Sequence, residues 1–260
     1  MIMAGSLHRR TLLAGIATLA LGTALLDDRV IRSARAQQPQ ARYNVLVFSR
    51  TTGFRHDSIP DAIAAVRALG DQHGFLVDAT EDPSAFTDAT LASYRAVIFL
   101  LTTGHILEPD QQAAFERYIQ AGNGFVGVHS AADTEYDWSF YGGLVGAYFA
   151  SHPEIQMASI HREDSSDPST VSLPDLWMRT DEWYNFQTNP RDNADIRVLA
   201  SLDEASYAGG TMGDHPIAWY HSYAGGRAWY TAGGHTSESY SERLFLAHLL
   251  GGIEYAAGGA

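Results

Sequence analysis

From residue 43 to residue 129 short apolar runs alternate with amphipathic stretches, and this alternation constrains the fold more than any other feature of the chain. The runs are residues 43–50 (YNVLVFSR), 75–80, 96–101 (AVIFLL) and 125–129 (FVGVH). They are short, rich in β-branched and aromatic residues and apolar on both faces, which describes strands buried on both sides. Between them, Pro60 opens a helix whose apolar face is Ile63, Val66, Ala68 and Leu69, ending near Gly74. Residues 87–94 read as a short helix. Pro109 opens another, with Ala113, Phe115, Tyr118 and Ile119 turned to the core and Gly122-Asn123-Gly124 as its stop. Strands and helices in this order imply an α/β fold: a doubly wound, mostly parallel sheet with helices on both faces, flavodoxin-like.

The second half is patterned differently. Residues 155–162 and 196–202 read as strands, and 217–223 and 227–231 flank Ala224-Gly225-Gly226 as an added β-hairpin. Residues 241–255 form a closing helix, with Leu244, Phe245, His248, Leu249 and Ile253 at helical spacing. No linker signal divides residues 43–257, so one domain is expected there.

Residues 1–36 are read as a targeting segment and not as part of the fold. Arg9-Arg10 precede an apolar stretch, 11–26, and Ala34-Arg35-Ala36 offers a small-residue cleavage site. The paired arginines point to twin-arginine (Tat) export, with an ordinary secretory leader as the other reading. Gly15 and Gly22 interrupt the stretch, which is short for a membrane span. The expected product is periplasmic or secreted and spans no membrane once processed. Residues 37–42 (QQPQAR) form a polar lead-in.

Composition then closes several routes to chemistry. Cysteine is absent, which excludes thiolate nucleophiles, disulfides and Cys-ligated metals. All 17 basic residues are arginine, so no lysine can form a Schiff base or a phosphate-binding Walker loop. The formal charge is −13, and removal of the Arg-rich leader makes it more negative. Such a surface repels phosphate backbones, and nucleic acid is excluded as the expected partner.

Ligands of a doubly wound sheet collect at the carboxyl ends of its strands. Three loops leave those ends, at 51–59, 102–106 and 130–137, which places His56, His105 and His129 on one rim. His129 sits where a strand turns sharply, in G-V-H-S-A-A (127–132), and such an elbow presents one exposed side chain to the site. A histidine there serves as a base, as a metal ligand through a neutral nitrogen, or as a hydrogen-bonded structural residue. Ser130 is a weaker nucleophile candidate, because neighbours on a strand face opposite ways. In T-T-G-F-R-H-D-S (51–58), Asp57 or Ser58 is placed to cap the helix at Pro60, while Arg55 and His56 are left for the site. In T-D-E-W-Y-N (180–185), Glu182 can act as acid/base or hard metal ligand, with Trp183 and Tyr184 as a platform for a sugar ring. In G-G-H-T (233–236) the glycines allow close backbone approach, His235 is the second histidine, and Glu238 can orient it. No H-E-x-x-H signature is present, so a divalent metal would need scattered ligands, with His129, Glu182 and His235 as candidates.

In combination and order, T-G-F-R-H-D-S-I (52–59), G-F-V-G-V-H-S-A-A-D (124–133), S-H-P (151–153), D-E-W-Y (181–184), H-P-I-A-W (215–219) and G-H-T (234–236) resemble the ThuA-like (trehalose-utilisation) family over nearly all of residues 43–257. That family is similar in fold to class I glutamine amidotransferases, which carry cysteine at the elbow. Here His129 falls at the nucleophile position and His235 near the triad histidine, and without cysteine the glutaminase route is excluded. The resemblance implies carbohydrate metabolism, in particular of oxidised (3-keto) glycosides and disaccharides. On that basis a small-molecule carbohydrate is the expected partner, and the protein is expected to be a lyase or hydrolase, with a non-catalytic carbohydrate-binding protein as the alternative and a Ser130 esterase as a third. His129 is cast as base or metal ligand, Glu182 as acid/base, and His56 and His235 as substrate or metal contacts. Arg55, Asp57, Ser130, Asp133, His152, Trp183 and Tyr184 are cast as substrate-binding residues.

Overall fold

The computed structural model describes residues 41–259. The expected targeting segment, residues 1–36, lies outside the described residues, as does most of the lead-in. In chain order the elements are β1 (Asn44–Phe48), α1 (Ile59–His73), β2 (Leu76–Thr80), α2 (Asp88–Leu91), β3 (Ala96–Leu100), α3 (Pro109–Gln120), β4 (Gly124–Val128), α4 (Ser139–Val145) and β5 (Phe149–Ser151). They continue with β6 (Gln156–Arg162), β7 (Leu176–Asp181), β8 (Asn185–Phe186), β9 (Arg197–Leu202), β10 (His215–Tyr223), β11 (Gly226–Thr231) and α5 (Arg243–Ala257). Among the described residues no helix is long and apolar enough to cross a membrane.

Nine strands form one sheet in the order β2-β1-β3-β4-β11-β10-β9-β6-β7. The first five run parallel. Their strands are apolar because helices cover both faces. β3 and β4 are buried throughout. On one face Phe99 of β3 and Phe125 of β4 meet Phe115 of α3 and Tyr141 of α4, with ring centroids 5.3–6.4 Å apart. Aromatic pairs at this spacing contribute about 1 kcal/mol each beyond their burial. On the other face α5 lies against β11, where Trp229 packs on His248 at 4.8 Å. The core face of α3 is Ala114, Phe115, Tyr118 and Ile119, so the expected Ala113 is half-buried one position away from it.

The expected hairpin is β10–β11. Tyr223 pairs with Gly226 across Ala224 and Gly225, whose φ of 49° and 97° fit a two-residue turn with both central residues left-handed. The antiparallel part then extends through β9, β6 and β7. β7 buries every second side chain (Trp177, Arg179, Asp181) and leaves Leu176, Met178 and Thr180 outside, the pattern of a half-covered edge strand. A short ribbon of β5 and β8 stands apart from the main sheet and carries Phe149.

Candidate functional site

Four side chains meet at one end of the sheet, each delivered by a chain segment leaving a strand. His56 follows β1, in a loop pinned to its neighbour by the Thr103 hydroxyl, which donates to the Phe54 carbonyl at 2.7 Å. Ser58 stands at the N-cap of α1 but makes no cap bond with its side chain. Its hydroxyl donates instead to the His235 carbonyl at 2.7 Å, tying this loop to the segment after β11. The expectation that Asp57 or Ser58 caps the helix is thereby corrected.

His129 directly follows β4 and opens a tight turn with φ of 52°. The elbow is present, but the side chain is fully buried, not exposed as the strand-end argument implies. Its Nδ1 lies 2.7 Å from the Ala232 carbonyl. A carbonyl only accepts, so Nδ1 carries a proton, and in the neutral ring Nε2 is left with the lone pair. That lone pair faces Glu182 Oε2 at 3.3 Å and His235 Nδ1 at 3.1 Å, and these two are themselves 3.1 Å apart. The rings of His56, His129 and His235 form a near-equilateral triangle with centroids 4.9–5.1 Å apart.

Acceptors gathered this closely need a proton or a cation among them. Burial pushes the Glu182 carboxyl up, yet with a proton shared among these groups the bonds to His129 and His235 outweigh this and hold it well below its ordinary value. Burial pushes His235 down, and its bond to Glu182 reverses the direction, leaving it raised. His56 is pushed down to about 3 by burial and by the neighbouring His129 and His235, so its nitrogens favour the neutral, ligating form. One nitrogen or oxygen from each of His56, His129, Glu182 and His235 lies within 4.8 Å of all the others. Donors bound tetrahedrally to zinc at about 2.0 Å stand roughly 3.3 Å from one another. The 3.1–3.3 Å separations among His129, Glu182 and His235 match one face of that polyhedron. His129, Glu182 and His235 therefore fit one face of a divalent transition-metal site, and His56, within 4.8 Å, is placed to close on it as the fourth ligand.

A cavity of about 300 Å³ opens above the cluster. Phe54, Phe149 and Tyr184 supply its apolar wall, and Asp133 and His152 line it beside His56, Glu182 and His235, with His129 buried beneath. Tyr184 lies against His129, with centroids 4.1 Å apart. His152 Nδ1 is 3.0 Å from Glu182 Oε1. Burial raises the Asp133 carboxyl, opposed by the Tyr136 hydroxyl that donates to it at 2.7 Å.

Other expected site residues are placed elsewhere. Arg55 is exposed and forms a two-pronged pair with Glu81 at 3.0 and 2.7 Å, and Asp57 is exposed outside the cavity wall. Ser130 is buried behind the cluster, its hydroxyl 3.5 Å from His56 Nδ1. Trp183 is fully buried and donates its Nε1–H to the Gln156 carbonyl at 2.9 Å, so it is a core residue and not a sugar platform. His105 is exposed and pairs with Glu135 at 3.0 Å, away from the other histidines. Glu238 is exposed, and the orienting role expected of it falls to Glu182 on the ring and Asp181 on the backbone. The apolar wall residues Phe54 and Phe149 were missed: an exposed aromatic in a polar loop was the signal for Phe54, and Phe149 left none.

Fold and site together define an α/β domain with a buried cluster of three histidines and a glutamate at the carboxyl ends of its strands. The chain belongs to the ThuA family, described as trehalose utilisation, whose family model matches residues 44–256. Among solved structures it is similar to a ThuA-like protein from Bacteroides uniformis ATCC 8492, at 24% identity and a TM-score of 0.72, over 84% of this chain and 92% of that one. A ThuA-like protein from Parabacteroides merdae ATCC 43184 is similar at 19% identity and a TM-score of 0.69, over 85% and 91% of the two chains. The β-galactosidase of Bacillus circulans sp. alkalophilus shares the fold at 14% identity and a TM-score of 0.56, over 83% of this chain and 31% of that one. A search of curated proteins finds no match.

Proposed function

We propose that this protein is an exported carbohydrate-processing enzyme, a lyase or hydrolase acting on oxidised (3-keto) glycosides or disaccharides, with a divalent metal held by His56, His129, Glu182 and His235. The observation that carries the reading is the convergence of four ligand-capable atoms from four separate segments beneath an aromatic-walled cavity. Family membership supports a sugar as the substrate. When bound, the metal would supply Lewis-acid stabilisation of the oxygen on which negative charge develops. A ketone at C3 acidifies the C2–H bond. Asp133 and His152 stand on the cavity wall where one group can take that proton and another can protonate the departing glycosidic oxygen. The faces of Phe54, Phe149 and Tyr184 suit the apolar side of a pyranose ring.

The test is release of p-nitrophenol from a p-nitrophenyl 3-keto-glycoside by the metal-loaded protein. Release above the uncatalysed rate, lost on chelation and restored by added metal, is the expected result. Deuterium at C2 should slow the reaction several-fold if it is an elimination. Sugar binding without release would overturn the enzyme reading and leave a binding protein. Export is proposed from Arg9-Arg10, and the paired change Arg9→Lys and Arg10→Lys should hold the precursor in the cytoplasm. Unchanged export of that variant would exclude the twin-arginine route.

A further inference from the structure

Glu182 and His235 belong to segments that no backbone ladder joins. Glu182 follows β7, the outer edge of the sheet, and His235 follows β11, with β6, β9 and β10 lying between them in the strand order. Yet their side chains meet at 3.1 Å. Some other contact must set this register, because positioning errors of even half an ångström degrade a ligand set.

We infer that Asp181 is the positioning residue that sets Glu182 and His235 against each other, with Arg179 as its buried counter-charge; the inference rests on the proposed metal site. Asp181 is the last residue of β7 and is fully buried. Its Oδ1 accepts the backbone N–H of Glu182 at 3.0 Å and that of His235 at 3.1 Å. Its Oδ2 accepts the N–H of Gly234 at 2.7 Å and meets Arg179 Nη1 at 3.0 Å. One carboxylate therefore grips both ligand-bearing segments by their main chains, and a neutral side chain of the same shape cannot accept from all of them.

Arg179 makes this carboxylate tolerable in the interior. Its guanidinium donates through Nε to Glu242 at 3.0 Å and through Nη2 to the Ser239 hydroxyl at 2.8 Å. It lies over the rings of Phe245 and Trp177, at 4.6 and 4.9 Å from their centroids. Gly233 leaves room for the arrangement, since a Cβ there would stand 2.5 Å from Arg179 Nη1. Support behind metal ligands commonly governs affinity by 10- to 100-fold.

The experiment is titration of the full-length metal-free chain with Co(II), read by its visible absorption, in the wild type, Asp181→Asn and Glu242→Gln. Asp181→Asn should weaken Co(II) binding by about 10- to 100-fold and alter the band shape. Glu242→Gln disturbs the far end of the same arginine while sparing the three main-chain bonds, and should stay within about twofold of wild type. Should Asp181→Asn fail to fold, Gly233→Ala takes its place, because the added Cβ drives the His235 segment away from Arg179. Unaltered affinity in Asp181→Asn, or equal weakening in Glu242→Gln, would overturn the inference. If the wild type binds no Co(II), the metal reading fails by itself. The positioning role is then read from the ring-nitrogen resonances of His235, which Asp181→Asn should shift and Glu242→Gln should not.

Discussion

Replacing His129 by alanine is expected to weaken binding of Zn(II) or Co(II) by about 100-fold or more while the protein stays folded. Complete four-ligand zinc sites bind with about 10–16 kcal/mol, so one ligand's share is roughly 3 kcal/mol. That corresponds to a loss of about 100-fold or more in affinity. His129 should show the largest loss of the four because its ring is the most constrained. It is fully buried, its Nδ1 is fixed by the Ala232 carbonyl, and its own carbonyl is held by the Tyr230 hydroxyl at 2.8 Å. A second variant, His129→Gly, separates site from scaffold: φ of 52° strains any residue with a Cβ by roughly 1 kcal/mol, which glycine relieves. Both variants should show this drop in metal affinity, and the glycine variant should melt at or above the alanine one. Elemental analysis and isothermal titration beside a thermal melt would check this. Metal retained at wild-type affinity in either variant would remove His129 from the ligand set.

How much of this was legible beforehand follows from where the determinants lie. β1, β3 and β4 announce themselves because burial on both faces makes them continuous apolar runs, and the glycines and prolines around them mark the turns. β7 does not, because it is an edge strand that exposes Leu176 and Met178 and buries Arg179 and Asp181, the reverse of the usual assignment of apolar and charged residues. The four clustered residues could each be picked out, since strand ends in such a sheet converge on one rim. Their shared centre could not, because it depends on hydrogen bonds between segments distant in sequence, such as Ser58 to His235 and Asp181 to Gly234. Trp183 and Tyr184 show the same limit at the smallest scale. They are adjacent and equally aromatic, and only the direction of the chain leaving β7 sends one to the core and the other to the cavity. Arg55 was drawn off by Glu81, a partner that nothing in the local motif specifies.

The scaffold behind the site is expected to be sensitive to a change that helix propensity alone would favour. Gly252 lies inside α5, where alanine is ordinarily better by about 1 kcal/mol. A Cβ at that position would stand 2.3 Å from the Trp229 ring. The indole cannot yield readily: it is fully buried, packed on His248 and held through Nε1 to the Ser169 hydroxyl at 3.2 Å. Overpacking of this kind costs about 3 kcal/mol, which exceeds the propensity gain. The net loss of about 2 kcal/mol should therefore lower the melting temperature of Gly252→Ala by roughly 4–8 °C in a domain of this size. Packing as the cause can be isolated by combining it with Trp229→Phe, whose smaller ring leaves space for the new methyl. The double variant should be more stable than the sum of the two single losses implies, by about 1 kcal/mol or more. Additive losses would mean that the cost arises elsewhere along α5, and a raised melting temperature for Gly252→Ala would mean that helix and sheet are less tightly joined than a 2.3 Å approach requires. The distinction matters for chemistry as well as stability. Trp229 belongs to β11, the strand that leads directly to the Ala232 carbonyl fixing the His129 ring and to the segment carrying His235. A displaced β11 should therefore weaken metal binding along with the fold.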